Sequence, residues 1–185
     1  MKFIFVFFLV LGLGSPQNLI AQSNTLELLK EGGKIVFIRH AYAPGGGDPV
    51  DFSLDNCDTQ RNLNHQGIKQ SQNIGDLFQK NQISISQVLS SQWCRCQDTA
   101  KYAFTDYATW NSLNSTFSNQ FKKNHKKQIQ EIKNFLSSWD DSQGNLILVT
   151  HYVIIGGVLG YYPNSGEMVI VNKDLEILGS IKSKY

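Results

Sequence analysis

Hydrophobic residues in this chain are concentrated in short runs that alternate with amphipathic stretches. Four apolar runs predict buried strands, at residues 34–38, 87–90, 145–149 and 168–171. Helical spacing of apolar positions predicts a helix that begins after Asn64, which is a suitable N-cap. It predicts three further helices, from near residue 94 to residue 104, at 128–139 and at 153–159. Residues 175–178 predict an edge hairpin. Strands that alternate with helices favour the α/β class, in which helices cover both faces of a sheet.

The first residues have the pattern of a secretory signal peptide. Lys2 precedes an apolar stretch at residues 3–13, and Ala21 offers a small residue at a cleavage point before Gln22. The stretch is too short to span a bilayer, although an uncleaved anchor is the alternative. We therefore predict a signal peptide at residues 1–21, a single mature domain at 22–185 with no membrane span, and a periplasmic or secreted location.

Charge gives little support to a nucleic-acid partner. The formal net charge is only +2 in a chain of 185 residues, so the strong basic character of nucleic-acid-binding domains is missing. A local group of basic residues predicts the solvated face of one helix and comprises Lys122, Lys123, His125, Lys126 and Lys127. We expect a small phosphorylated molecule as the partner, for the reasons that follow, and no nucleic acid.

The chain has three cysteines, Cys57, Cys94 and Cys96. In an oxidising compartment an odd count predicts one disulfide and one free thiol. Cys94 and Cys96 are too close in sequence to pair comfortably, so Cys57 is expected to pair with one of the two. A metal site is the alternative, but zinc ligands are usually separated by two or more residues, and no metal is predicted.

Chemistry-bearing residues follow three of the predicted strands. Arg39 and His40 end the first strand, His151 ends the third, and the second leads through a turn to Arg95. The carboxyl ends of parallel strands meet at one edge of a sheet, so these four side chains are expected to converge. Arginines bind phosphate oxygens, and an imidazole can attack phosphorus, so the pattern predicts a phosphate site containing a nucleophile. This chemistry needs no metal or other cofactor.

Four segments resemble, in the right order, the motifs of the histidine phosphatase superfamily. They are R-H-A at residues 39–41, L-N-H-Q-G-I-K-Q at 63–70, S-S-Q-W-C-R-C-Q-D-T-A at 90–100 and V-T-H at 149–151. The resemblance implies a three-layer α/β/α sandwich with a mostly parallel central sheet, the phosphoglycerate-mutase-like fold. It also implies that His40 becomes phosphohistidine, and that Arg39, Arg95 and His151 complete the phosphate pocket.

The chain departs from the superfamily where the general acid is expected. Tyr152 stands where one branch has an aspartate, and Ser115 stands where the other branch has a glutamate. An alkoxide leaving group needs a proton, so another acid is required. Glu167 is the candidate catalytic acid, because family sequences bring a loop back to the site there. Aspartates in the loop after His40 are the other candidates, namely Asp48, Asp51, Asp55 and Asp58.

The leading hypothesis is a metal-independent phosphatase of the histidine acid phosphatase type. Its substrate would be a phosphomonoester, such as an envelope sugar phosphate, by resemblance to periplasmic members that act on lipopolysaccharide core sugars. The long loop at residues 42–63 is interpreted as a specificity loop, although its aspartates leave a calcium loop as a rival. The alternatives are a phosphate- or phosphosugar-binding module that has lost catalysis and a metal-dependent hydrolase that uses His40, His151 and the aspartates of the loop.

Overall fold

The computed structural model describes residues 16–184. Residues 1–15, which form most of the predicted signal peptide, and Tyr185 lie outside the described residues. The first described element is helix α1, Pro16–Glu31, which runs across the expected cleavage point. Among the helices of residues 16–184, none has the length and apolar character that a membrane span requires.

A six-stranded sheet forms the centre of the molecule. Its strands are β1 Ile35–Arg39, β2 Ile85–Ser90, β3 Ala108–Thr109, β4 Asn145–Thr150, β5 Glu167–Val171 and β6 Ile177–Lys182. The spatial order is β3-β2-β4-β1-β5-β6. Strands β1 to β4 are parallel to one another, whereas β5 is antiparallel to both β1 and β6. The predicted mostly parallel sheet is confirmed.

Helices cover both faces of this sheet. The other helices are α2 His65–Lys80, α3 Cys94–Phe104, α4 Asn119–Lys122, α5 His125–Ser138 and α6 Tyr152–Leu159. Side chains of α1, α2 and α3 share one apolar core with the sheet, and those of α5 and α6 share the other. The three-layer α/β/α architecture is therefore confirmed.

The two central strands show why the sequence folds in this way. In β1, Val36 and Ile38 enter the core on the α1–α3 side, while Ile35 and Phe37 enter the core on the opposite side. A strand buried on both faces needs a continuous apolar run, and β1 and β4 both have one. The carboxyl ends of β1, β2 and β4 consequently meet at the same edge of the sheet.

Several predictions about elements need correction. The predicted edge hairpin is present, since β6 pairs antiparallel with β5 at the edge of the sheet, but its turn is longer than predicted. Hydrogen bonds between Asn172 and Glu176 close this turn, and Leu175 adopts a φ of 64° within it. Strand β6 begins only at Ile177. The basic group extends over α4 and α5 instead of one helix. His125, predicted to be a surface residue, is half-buried, and its Nδ1 lies 2.7 Å from the Thr116 hydroxyl.

Candidate active site

The backbone at the end of β1 holds His40 in place. The His40 amide donates to Thr150 of β4 at 2.9 Å, and the Ala41 amide donates to the Thr99 hydroxyl at 2.9 Å. The His40 ring nitrogen Nδ1 lies 2.8 Å from the Ala41 carbonyl oxygen. A carbonyl only accepts, so Nδ1 carries the proton, and the lone pair of the neutral ring is on Nε2. Nε2 is therefore the nucleophilic atom.

The surroundings keep the His40 imidazole neutral. Burial lowers its pKa well below the ordinary value of 6.5, and the positive charges of Arg95, Arg61 and Arg39 lower it further. The hydrogen bond to the Ala41 carbonyl acts in the opposite direction but does not outweigh these effects. A neutral imidazole is the form that attacks phosphorus, so the arginines that would bind a phosphate also keep the nucleophile unprotonated.

His151 lies beside His40. It follows β4 directly and precedes α6, and the two imidazole ring centroids are 5.4 Å apart. Nε2 of His151 lies 3.0 Å from the Ser91 hydroxyl and 3.5 Å from the Cys96 sulfur, which orients the ring. Burial lowers the pKa of His151 well below 6.5, and the charge of Arg95 contributes to the shift. Both histidines are thus buried and neutral, on one side of the same pocket.

Three arginines surround these imidazoles. Arg39 and Arg95 were predicted, and the structure adds Arg61, from the loop after His40. Nη1 of Arg39 donates to the Pro163 carbonyl at 2.9 Å, and Nη1 of Arg61 donates to the Ala43 carbonyl. In all three arginines, Nε is buried and has no hydrogen-bond partner within residues 16–184. Unpaired cationic donors are costly to bury, so this arrangement is suited to a bound anion.

Asp48 holds Arg95 in place. Its carboxylate accepts from both terminal nitrogens of Arg95, at 2.7 and 3.1 Å, from Trp93 Nε1 at 3.0 Å and from the Arg61 amide at 3.0 Å. Burial alone would raise the pKa of Asp48, but the hydrogen bond and charge of Arg95, together with the other donors, hold it below its ordinary value. Asp48 is therefore ionised, and three arginines with one carboxylate leave two positive charges, which matches a phosphate dianion.

A disulfide fastens the loop to α3. Cys57 pairs with Cys94, with their Cα atoms 5.7 Å apart, and Cys96 is a buried free thiol. The predicted bridge from Cys57 is confirmed, and its partner is the cysteine adjacent to Arg95. The Cys94 amide also donates to the Gln60 side chain at 3.0 Å. The loop that carries Asp48 and Arg61 is thus held against the helix that carries Arg95.

The four residues predicted for the phosphate pocket line one cavity of about 790 Å³. Arg39, His40, Arg95 and His151 all contribute to its wall, as do Arg61, which was not predicted, and Asp48, which was predicted only as a possible acid. Position is the signal that could have revealed Arg61, because it directly precedes the segment at 63–70 that resembles a family motif. Asp48 carries no such signal, since it is one of four aspartates in its loop.

Glu167 does not line this cavity. Its carboxylate accepts from the Tyr161 hydroxyl at 2.7 Å, and from the backbone amide and side chain of Asn164 at 2.9 and 3.1 Å. Burial raises the pKa of Glu167, but these hydrogen bonds outweigh it and leave the pKa below its ordinary value. The geometry argues against the predicted role of Glu167 as the catalytic acid. Instead, Glu167 orders the loop whose Pro163 carbonyl holds Arg39.

The other predicted acids are also poorly placed. Asp51, Asp55 and Asp58 are exposed and are absent from the cavity wall. Ser115, which the sequence resemblance aligns with a glutamate, lines the wall but has no carboxyl group. Within residues 16–184, no three His, Cys, Asp or Glu side chains are grouped closely enough to hold a metal ion. The chemistry that this arrangement supports is nucleophilic attack on an anion held by arginines.

Solved structures share this architecture. The protein histidine phosphatase SixA, complexed with tungstate, is 12% identical, with a TM-score of 0.56 over 80% of this chain and 92% of that chain. The protein TTHB049 from Thermus thermophilus is 14% identical, with a TM-score of 0.57 over 80% and 98%. A proposed alpha-ribazole-5'-P phosphatase from Escherichia coli is 16% identical, with a TM-score of 0.55 over 82% and 95%.

These likenesses, at low sequence identity, show that the chain shares its fold with these solved structures. Comparison with protein-family models and with curated proteins found no match.

Proposed function

We propose that this protein is a phosphatase that hydrolyses a phosphomonoester through a phosphohistidine intermediate on His40. The observation that carries the proposal is the neutral His40 imidazole beside three arginines whose buried Nε atoms lack partners. Such a cradle would hold the phosphoryl oxygens and neutralise the charge that spreads over them during transfer. Arg39, Arg95 and His151 fill the phosphate-binding roles, and Arg61 is added to them.

The reaction has two steps. Nε2 of His40 attacks phosphorus while the bond from phosphorus to the ester oxygen breaks, so phosphohistidine forms and the ester oxygen leaves and takes up a proton to give the alcohol. Water then attacks phosphorus, the bond from phosphorus to Nε2 breaks, and inorganic phosphate leaves. His151 faces the same oxygens and, together with the arginines, stabilises the transferring group in both steps. Neither step is routed through a metal ion, so we expect activity to survive a chelator.

The structural neighbours support this proposal. One of them binds tungstate, which is a tetrahedral oxyanion like phosphate, and two are described as phosphatases. The disulfide between Cys57 and Cys94 supports an oxidising compartment, in agreement with the proposed signal peptide and a periplasmic or secreted location. An envelope sugar phosphate remains the proposed substrate, because the cavity extends beyond the phosphate site to aromatic side chains that suit a sugar ring.

The test is to trap the intermediate. Protein incubated with a phosphomonoester labelled with radioactive phosphorus and then denatured should carry label that is stable in alkali and labile in acid. The label should map to His40. His40→Ala should abolish both label and turnover, whereas His65→Ala, which removes an exposed imidazole outside the cavity, should preserve both. A His40→Ala protein that turns over substrate at the parental rate would refute the proposal.

A phosphate- or phosphosugar-binding module is the second candidate. It is favoured by the ionised state of Asp48 and the enclosed position of Glu167, which leave no protonated carboxyl among the described residues of the cavity wall. Calorimetry would separate the two candidates. Tight phosphate binding with no turnover of any phosphomonoester in a panel of sugar phosphates and nucleotides would favour the binding module.

A further inference from the structure

The remaining question about the proposed reaction is which group protonates the leaving oxygen. Asp48 is ionised and has both oxygens on Arg95, and Glu167 lies outside the cavity wall. His40 and His151 are neutral imidazoles, which are poor acids. Among the described residues of the wall, the remaining candidate proton donors are the phenolic hydroxyls of Tyr42 and Tyr152.

Tyr152 has the better position of the two. It directly follows His151, begins α6 and is half-buried in the cavity wall. The Arg39 guanidinium carbon lies 5.1 Å from the centroid of its ring. No group of residues 16–184 hydrogen-bonds to the Tyr152 hydroxyl, and the hydroxyl oxygen is not buried, so its proton is available to a bound substrate.

We propose that Tyr152 is the general acid of this active site, on the basis of its place beside His151 and Arg39 in the cavity wall. This inference rests on the proposed phosphatase function. As the bond between phosphorus and the ester oxygen breaks, the Tyr152 hydroxyl transfers its proton to that oxygen, and the alcohol leaves. The phenolate regains its proton from solvent, which restores the hydroxyl. Water then attacks phosphohistidine and gives up a proton to solvent as the bond from phosphorus to Nε2 breaks and phosphate leaves.

Arg39 is placed to make this proton transfer feasible. A phenolate is stabilised by a cation held against its ring, and the positive Arg39 guanidinium lies over the Tyr152 ring. Burial lowers the pKa of Arg39, and the interaction with Tyr152 raises it, so the two groups are electrostatically coupled. Arg39 would therefore act twice, on the phosphoryl oxygens and on the acid.

The rival explanation is that Tyr152 only supplies an aromatic surface. Its ring centroid lies 6.1 Å from that of Phe117, which also lines the cavity, and 6.3 Å from that of Tyr162, which does not. Tyr152→Phe separates these roles, because it keeps the ring and removes only the hydroxyl. Tyr162→Phe is the matched control, since Tyr162 is 67% exposed and does not line the cavity.

The experiment compares kcat on two substrates with different leaving groups. β-Glycerophosphate releases a strongly basic alkoxide, whereas p-nitrophenyl phosphate releases a weakly basic anion that needs little protonation. We expect Tyr152→Phe to lower kcat on β-glycerophosphate on the order of 10²-fold or more and to change kcat on p-nitrophenyl phosphate only a few-fold. Tyr162→Phe should change neither value.

Three outcomes would overturn the inference. Equal losses on both substrates would mean that the hydroxyl only positions the substrate, and no loss on either would mean that it does not take part. If Tyr42→Phe or Asp48→Asn shows the loss confined to β-glycerophosphate while Tyr152→Phe does not, that residue is the acid. In each case His40 still forms phosphohistidine, whereas a parent protein without turnover or phosphohistidine would overturn the proposed function together with the acid.

Discussion

Acidification should destabilise this protein before it affects the nucleophile. His40 and His151 are each only 2% exposed, and burial together with the charge of Arg95 lowers their pKa values well below 6.5. In the unfolded chain both imidazoles take up protons as the pH falls through about 6.5, whereas in the folded protein they do so only at much lower pH. Lowering the pH therefore stabilises the unfolded state relative to the folded state.

The magnitude follows from proton linkage. One histidine that remains neutral in the folded protein should lower the free energy of unfolding by about 1.4 kcal/mol between pH 7.5 and pH 5.5. The two together should lower the free energy of unfolding by about 2.7 kcal/mol over this range. Activity should behave differently, because kcat/KM depends on neutral His40, which persists to a pH well below 6.5. Activity should thus continue at an acidic pH where stability has already declined.

Urea unfolding followed by tryptophan fluorescence, repeated across this pH range, measures the effect. His40→Asn and His151→Asn should each halve the dependence on pH, and the double variant should nearly abolish it. His65→Asn, which alters an exposed residue, serves as the control. A flat free energy of unfolding in the parent protein, or the same slope in the double variant, would refute the reasoning.

Further predictions concern the loop and its anchors. Asp48→Asn leaves the buried Arg95 without its counter-ion, so it should lower the free energy of unfolding by about 3 kcal/mol. In thermal melts, added phosphate should restore more stability to this variant than to the parent. Equal stabilisation by phosphate would contradict the proposed binding of phosphate by the arginines. Cys57→Ser opens a loop with a sequence separation of 37, which should cost about 4 kcal/mol in urea unfolding under oxidising conditions. Under full reduction this variant and the parent should unfold alike. Glu167→Gln replaces an acceptor of Asn164 hydrogen bonds with a donor and should lower the free energy of unfolding by about 1–3 kcal/mol. It should raise KM more than it lowers kcat. A fall in kcat alone would instead indicate a direct catalytic role.

Local pattern was enough to predict most of the scaffold. Strand β1 could be predicted because a run such as Ile35–Arg39, apolar at successive positions, suits burial on both faces of a sheet. The helix after Asn64 could be predicted because asparagine is a favoured N-cap residue. In the structure the Asn64 side chain accepts from the Gly67 amide at 3.0 Å, as an N-cap does. Short or irregular elements such as α4 and β3 lacked such a pattern, because packing against neighbours and not periodicity stabilises them.

From the sequence, the partner of Cys57 could be narrowed to two cysteines but not to one. Cys94 and Cys96 both lie at the start of α3, and either could have been the partner of Cys57. Residues two positions apart in a helix are separated by more than half a turn, so their side chains point in different directions. The helix directs Cys94 toward the loop and Cys96 into the core near His151, and this geometry, which spacing alone does not reveal, determines the disulfide.

By itself, the sequence determined the α/β class and the meeting of Arg39, His40, Arg95 and His151, because parallel strands bring their carboxyl ends to one edge whatever the loops do. Only the tertiary structure decided which charged groups share that edge. It brought Arg61 and Asp48 into the pocket and turned Glu167 away from it. The physical reason is that loop side chains are placed by long-range hydrogen bonds, ion pairs and a disulfide, and no periodicity along the chain encodes these contacts.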